Sequence, residues 1–217
     1  YVDFACGTWG GRPWGEGLQG NSNMFANMAS QSVEVIEAEQ PVEILAYEFL
    51  PDRAGAGKFR GGAPYFRDYR FTEREAVLQV RSDRARFRPY GLYGGMPGQP
   101  SANYLNPQDN NQKLTSKPTM IIQEGDVFRH ELAGGGGLGD PLERDPADVL
   151  RDVRNELVSI TSAKNDYGVI IDNELIKVDS NKTNALRKTM REKRAGAKLP
   201  FVAWDDHGTE TALEAAD

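Results

Sequence analysis

Before residue 140, short apolar or alternating runs are separated by glycine and proline, the pattern of strands joined by tight loops. The run 42–50 (VEILAYEFL) reads as a strand with Val42, Ile44, Ala46 and Glu48 on one face. In 65–71 (YFRDYRF), Tyr65, Arg67, Tyr69 and Phe71 alternate with Phe66, Asp68 and Arg70. The run 75–81 (EAVLQVR) sets Val77 and Gln79 opposite Ala76, Leu78 and Val80. Segments 119–123 and 126–132 flank Glu124-Gly125, which predicts a hairpin turn. Such alternation predicts antiparallel sheet with one face buried.

After residue 140 the period changes. Asp145-Pro146-Ala147-Asp148 is a helix start, with Asp as cap, Pro in the first turn and a second acid favoured by the helix dipole. Val149, Leu150, Val153 and Leu157 then recur at helical spacing. Ser159 caps a second short helix through Tyr167, ended by Gly168. Residues 179–194 form a third, polar helix with a narrow stripe of Ala185, Leu186 and Met190. The expected fold class is therefore α+β. A β-rich core of antiparallel strands and glycine loops spans 1–144, a helical extension 145–198, and an acidic tail 199–217.

Composition narrows the function classes. The chain has 217 residues and a formal charge of −6, which argues against nucleic acid as a partner. No run approaches the ~18 apolar residues of a membrane span, and no charged-then-apolar leader opens the chain. One cysteine, Cys6, excludes an internal disulfide framework and fits a reducing, cytoplasmic compartment. The chain begins at Tyr1 rather than Met, as a piece of a longer protein would. Glycines are unevenly placed: 19 of 23 fall in the four stretches 7–20, 55–62, 91–98 and 134–139.

Those clusters invite comparison with a phosphate-binding loop, which needs Gly, four residues, then Gly-Lys-Ser/Thr. Gly55-Ala56-Gly57-Lys58-Phe59 has the lysine but neither the spacing nor a hydroxyl. Gly10 to Gly15 has the spacing but leads into Glu16, and Gly134 to Gly139 leads into Asp140-Pro141. A nucleotide site built by this chain alone is not expected. The clusters read instead as backbone needing positive φ or close approach. His130 and His207 stand far apart without metal-ligand spacing. His130 falls within DVFRHEL, where an ordinary strand histidine is expected. Cys6 has no His or Lys nearby in sequence, and no Gly-x-Ser-x-Gly elbow occurs. Charged residues among the glycine loops leave two readings open: Arg12, Glu16, Asp52, Lys58, Arg60, Asp83, Arg84 and Arg86 are either solvated or shape a polar cleft. Asp83-Arg84 beside Pro89-Tyr90-Gly91 could equally clamp a loop.

Taken in order, several long segments resemble one family. They are FACGTWGGRPWGEGLQGN (4–21), SVEVIEAEQPVEILAYEFLPDRAGAGKFRGG (32–62), AVLQVRSDRARFRPYGLYGGMPGQPS (76–101), GDVFRHELAGGGGLGDPLERDPADVLRDV (125–153) and YGVII (167–171). They resemble the C-terminal part of the hydantoinase B/oxoprolinase family, which includes components of N-methylhydantoinase, 5-oxoprolinase and acetone carboxylase. The resemblance implies a fragment of the hydantoinase B-type component of an ATP-dependent cyclic-amide hydrolase, assembled as a hetero-oligomer. A hydantoinase A-like partner chain or domain would bind ATP and phosphorylate the substrate. This chain alone would bind no cofactor, and any divalent metal would belong to the earlier half of the full-length family member.

The resemblance also implies a cleft shaped by Arg12, Glu16, Asp52, Arg60, Asp83 and Arg84, without assigning a catalytic residue among them. Two departures touch that set. Asp52 is followed by Arg53 where the family carries Ser, and Glu16 stands where Asp is usual. Two alternatives stand beside the hydrolase: a component of an ATP-dependent ketone carboxylase, and a non-catalytic assembly module.

Overall fold

A computed structural model describes residues 1–23 and 25–195. The expected acidic tail and the last residues of the helical extension lie outside the described residues. The chain is α+β, with antiparallel sheets and four α-helices among the described residues. Five strands make the main sheet, in the order β1 (Val42–Phe49), β2 (Tyr65–Phe71), β7 (Val127–Glu131), β4 (Ala102–Leu105) and β5 (Gln112–Leu114). A separate ribbon pairs β3 (Glu75–Gln79) with β6 (Thr119–Gln123). Helix α1 (Val33–Glu39) precedes β1 and buries Ile36.

The alternation in β2 buries both faces rather than one, because Tyr65, Phe66, Arg67, Asp68 and Tyr69 are all buried. In β1 the register shifts between Ile44 and Ala46, a bulge that exposes Leu45 and Glu48.

The predicted hairpin at Glu124-Gly125 is corrected. The tight turn exists, with Gly125 at φ +88° and Asp126 N–H donating to the Gln123 carbonyl at 3.1 Å. The flanking strands part company: β6 pairs β3, whereas β7 pairs β2 and β4. The turn is a corner that folds the ribbon onto the main sheet. Leu78 and Ile122 of the ribbon thereby pack against Tyr69, Leu105 and Phe128 of the sheet, an apolar cluster that a flat hairpin would leave wet.

The glycine clusters converge in space. Segment 133–139 runs between three others, bonded backbone to backbone at almost every residue. Gly11 donates to the Gly136 carbonyl at 2.8 Å, Gly55 to Gly135 at 2.8 Å, and Gly137 to Met96 at 2.9 Å. Phe59 and Leu138 exchange a reciprocal pair at 2.9 Å. Close approach, not turn geometry, selects glycine here. A Cβ on Gly135 would lie 2.1 Å from the Trp9 carbonyl, and one on Gly61 1.9 Å from the Gly135 carbonyl.

Three further helices follow a 3-10 turn at Pro141–Glu143. Asp145 caps α2 (Pro146–Arg154) by accepting from Ala147 N–H. Ser159 caps α3 (Ile160–Asn165), which stops short of Gly168 at φ +62°. Asp179 caps α4 (Ser180–Arg194). A small strand pair, β8 (Ile171–Asp172) with β9 (Lys177–Val178), lies between α3 and α4. Val149, Val158, Ala163, Tyr167 and Val169 form the helical core, and Ala56 joins it from the glycine layer.

The stripe expected on α4 is shifted. Ala185 is exposed, while Thr183 and Arg187 are buried beside Leu186 and Met190. The buried Arg187 guanidinium donates to the Tyr167 and Arg144 carbonyls at 3.0 and 2.7 Å.

Candidate functional site

A cleft of about 690 Å³ opens between the main sheet, the β3–β6 ribbon and the segment 3–8. That volume falls in the range of small-molecule sites. Tyr69, Phe128, His130 and Leu132 line it from the sheet, Ala76 and Leu78 from the ribbon. Alternation explains this face: residues two apart on β2 and β7 point the same way, so Tyr69 and Phe128 fall beside Arg67 and His130.

Register aligns Tyr47, Arg67, His130 and Asn103 in one row across β1, β2, β7 and β4. The buried Arg67 guanidinium sits 4.0 Å over the Tyr47 ring and donates to the Asp3 carboxylate at 2.6 Å. The Tyr69 hydroxyl donates to the same carboxylate oxygen. Burial and that hydrogen bond push the Tyr69 hydroxyl well above the usual phenol range. His130 Nδ1 meets Asn103 Oδ1 at 2.7 Å. Burial brings the His130 imidazolium down to about 4, so the ring is neutral at physiological pH.

The six residues singled out from sequence separate into two places. Asp83 and Arg84 line the cleft and are exposed. Arg84 adopts φ +63°, and the carbonyls of both residues accept from Ser101, Asp83 from the hydroxyl at 2.5 Å and Arg84 from the backbone N–H at 3.1 Å. The other four stand away from the cleft.

Arg60 and Glu16 belong to a largely buried ion network centred on Asp152. Arg60 binds both Asp152 oxygens, at 3.0 and 3.1 Å, and donates to the Gly61 carbonyl. Arg144 bridges Asp152 at 2.8 Å and Glu16 at 2.7 Å, and Arg151 adds a second contact to Glu16 at 2.7 Å. Burial works to raise the Glu16 carboxyl, but hydrogen bonds and the charges of Arg144 and Arg151 hold it below its usual range. Arg12 donates to the Glu16 carbonyl at 3.0 Å. Asp52, at φ +59°, accepts from the Ser159 backbone N–H at 2.7 Å and fixes the start of α3. These contacts tie the glycine layer to the helices.

Sequence reading passed over Asp152, Arg144, Asp3 and the Arg67–His130 juxtaposition. Asp152 lies inside α2 and Arg144 just before it, and neither position carries a local signal. Only the shared face of Tyr65, Arg67 and Tyr69 was a local signal. Among the described residues no group of three His, Cys, Asp or Glu side chains could hold a metal ion. No helix among the described residues is long and apolar enough to cross a membrane.

A glycine-layered core, a ribbon folded over a sheet and a small-molecule cleft define the class of the chain by comparison. The hydantoinase B/oxoprolinase profile matches residues 1–141, and the chain belongs to that family. A Pseudomonas sp. (strain NS671) protein, provisionally assigned as the B component of a D-/L-hydantoinase, is 32% identical over 192 residues, covering 87% of this chain and 32% of its own length. The crystal structure of ATP-dependent caprolactamase from Pseudomonas jessenii matches with a TM-score of 0.74 and 30% identity, covering 85% of this chain and 33% of that one. A nucleotide-free acetone carboxylase structure gives a TM-score of 0.76 over 90% of this chain and 31% of its own, at 19% identity, a likeness of fold alone. The chain thus spans about a third of the length of these relatives.

Proposed function

We propose that this chain is the cleft-bearing part of the hydantoinase B-type component in an ATP-dependent cyclic-amide hydrolase of the hydantoinase/oxoprolinase type. The observation that carries the reading is the 690 Å³ cleft, in a chain 30% identical to caprolactamase across 85% of its residues. Amide hydrolysis is slow because the carbonyl is a poor electrophile. Phosphorylating the amide oxygen makes the carbon electrophilic enough for water to add; the ring nitrogen then leaves as an amine, and a second water releases the phosphate from the carboxyl group. In this reading a hydantoinase A-like partner binds ATP, and the hetero-oligomer works in the cytoplasm. The cleft then holds the cyclic amide, with Asp83 and Arg84 at its polar edge. Arg12, Glu16, Asp52 and Arg60 support it from outside through the Asp152 network and the start of α3.

Ketone carboxylation is less well supported. The acetone carboxylase alpha chain of Xanthobacter autotrophicus is 23% identical, against 33% for the beta chain of the Pseudomonas jessenii caprolactamase. The test is an assay of the full-length protein assembled with its ATP-binding partner. ATP consumption that rises with caprolactam or a hydantoin, with ring-opened product in step, supports the proposal. Consumption that rises only with a ketone and bicarbonate overturns it in favour of the carboxylase. A partner that turns over equally well without this protein would make the chain an assembly module.

A further inference from the structure

His130 offers the cleft a nitrogen whose role the surrounding hydrogen bonds determine. The Thr115 backbone carbonyl can only accept, so the Asn103 side-chain atom 2.9 Å from it is the donating nitrogen. The same Nδ2 donates to Ser82 Oγ at 2.9 Å, and Ser82 Oγ donates its own proton to the Ser116 carbonyl at 3.0 Å. Asn103 Oδ1 therefore faces His130, and an amide oxygen can only accept. His130 must carry its proton on Nδ1, which leaves Nε2 with a lone pair. Among the described residues nothing else bonds to this ring, and His130 lines the cleft. Arg67 and Asp3 lie alongside as an ion pair; Asp3 accepts from Arg67 and from the Tyr69 hydroxyl, and the buried Arg67 Nε is left without a partner.

Resting on the cyclic-amide reading above, we propose that His130 Nε2 accepts a hydrogen bond from the ring N–H of the amide and orients it in the cleft. Asn103 acts as a positioning residue by holding the tautomer. A lone pair attracts N–H and repels a carbonyl oxygen, so the amide enters with its N–H toward β7. Because the ring holds the amide cis, the carbonyl, the group to be activated, lies on the same edge as the N–H and beside His130. A ring whose nitrogen carries a methyl group cannot make this contact and should bind roughly tenfold more weakly.

The test is NMR of the uniformly ¹⁵N-labelled 217-residue chain, reading the histidine ring nitrogens and the backbone amides. The sequence holds only His130 and His207, so His207→Asn assigns the signals. Caprolactam and N-methylcaprolactam are the probes. Caprolactam should move the His130 Nε2 resonance together with the Tyr69 and Ser82 backbone amides. N-methylcaprolactam should move those amides and leave Nε2 where it was. Caprolactam that moves the amides but not Nε2 overturns the His130 assignment and leaves the functional reading standing. If no cleft amide moves at saturating probe, the cleft is not the amide site and both fall. Asn103→Ala should release the tautomer, read as a change in both ring nitrogens without probe. An unchanged ring overturns the role given to Asn103.

Discussion

Removing Asp152 should destabilise the fold more than any other single charge deletion in the chain. Its two oxygens accept three N–H groups, from Arg60 at 3.0 and 3.1 Å and Arg144 at 2.8 Å. The three side chains are only 4%, 2% and 1% exposed, so water cannot replace what is lost. Asp152→Ala leaves two buried guanidiniums with only Glu16 to balance them. Breaking a buried pair in this way costs about 3–5 kcal/mol. With a urea m-value of about 2–3 kcal/mol per molar, the midpoint should fall by roughly 1–2.5 M with m unchanged. Asp152→Asn keeps the shape but not the charge and should fall toward the same range. Glu43→Gln is the control, because the Arg70–Glu43 pair is more than 40% exposed on each side, and such pairs are worth less than about 1 kcal/mol. Urea unfolding followed by tryptophan fluorescence reads all three variants. An Asp152→Ala loss under about 1 kcal/mol would refute the claim that this network locks the helices to the glycine layer.

Two other expectations follow from the packing and the buried histidine. Gly135→Ala places a Cβ 2.1 Å from the Trp9 carbonyl and should prevent folding at 37 °C, whereas Gly10→Ala, with 3.4 Å to its nearest neighbour, should fold; soluble yield and circular dichroism check both. Because His130 titrates near 4 when folded and near 6.5 when unfolded, the unfolded chain binds the extra proton first as pH falls. The stability due to the neutral ring is complete above about 6.5 and drains away toward 4. It amounts to about 2 kcal/mol lost by pH 5, and His130→Gln should flatten that part of the urea-midpoint profile.

The helices and long strands were legible because their signals are local. Asp145-Pro146 and Ser159 are caps readable from a few residues, and both accept the backbone N–H that a cap should; Asp179, read as the first residue of its helix, caps it. The strands β4 and β5 escaped notice because ANYL and QKL are short and half polar, and β4 forms by adding to β7 and β5 by adding to β4 rather than by their own alternation. The turn at Gly125 was visible, but whether it closes a hairpin or turns a corner depends on the ribbon's apolar face, which is a tertiary matter. The cleft could not be read for a similar reason. Arg67 and His130 are 63 positions apart and meet only through strand register. Charge among glycines pointed to Arg60 and Glu16, yet a charged side chain beside a glycine layer can be buried and paired as readily as exposed to substrate. Failure of the phosphate-loop spacing, by contrast, correctly pointed to close backbone approach.

The central claim is that the amide binds in the cleft beside His130, and filling the cleft tests it most directly. Gly7 lines the cleft, and a Cβ added there meets nothing within 4 Å, so Gly7→Trp adds bulk at the cleft wall with room for its first atom. The measurement is ATP-dependent caprolactam ring opening by the assembled full-length enzyme, with the urea midpoint measured alongside. The account predicts that Gly7→Trp loses ring opening while its urea midpoint stays at the parent value. Ring opening at the parent rate by a folded Gly7→Trp enzyme would contradict it.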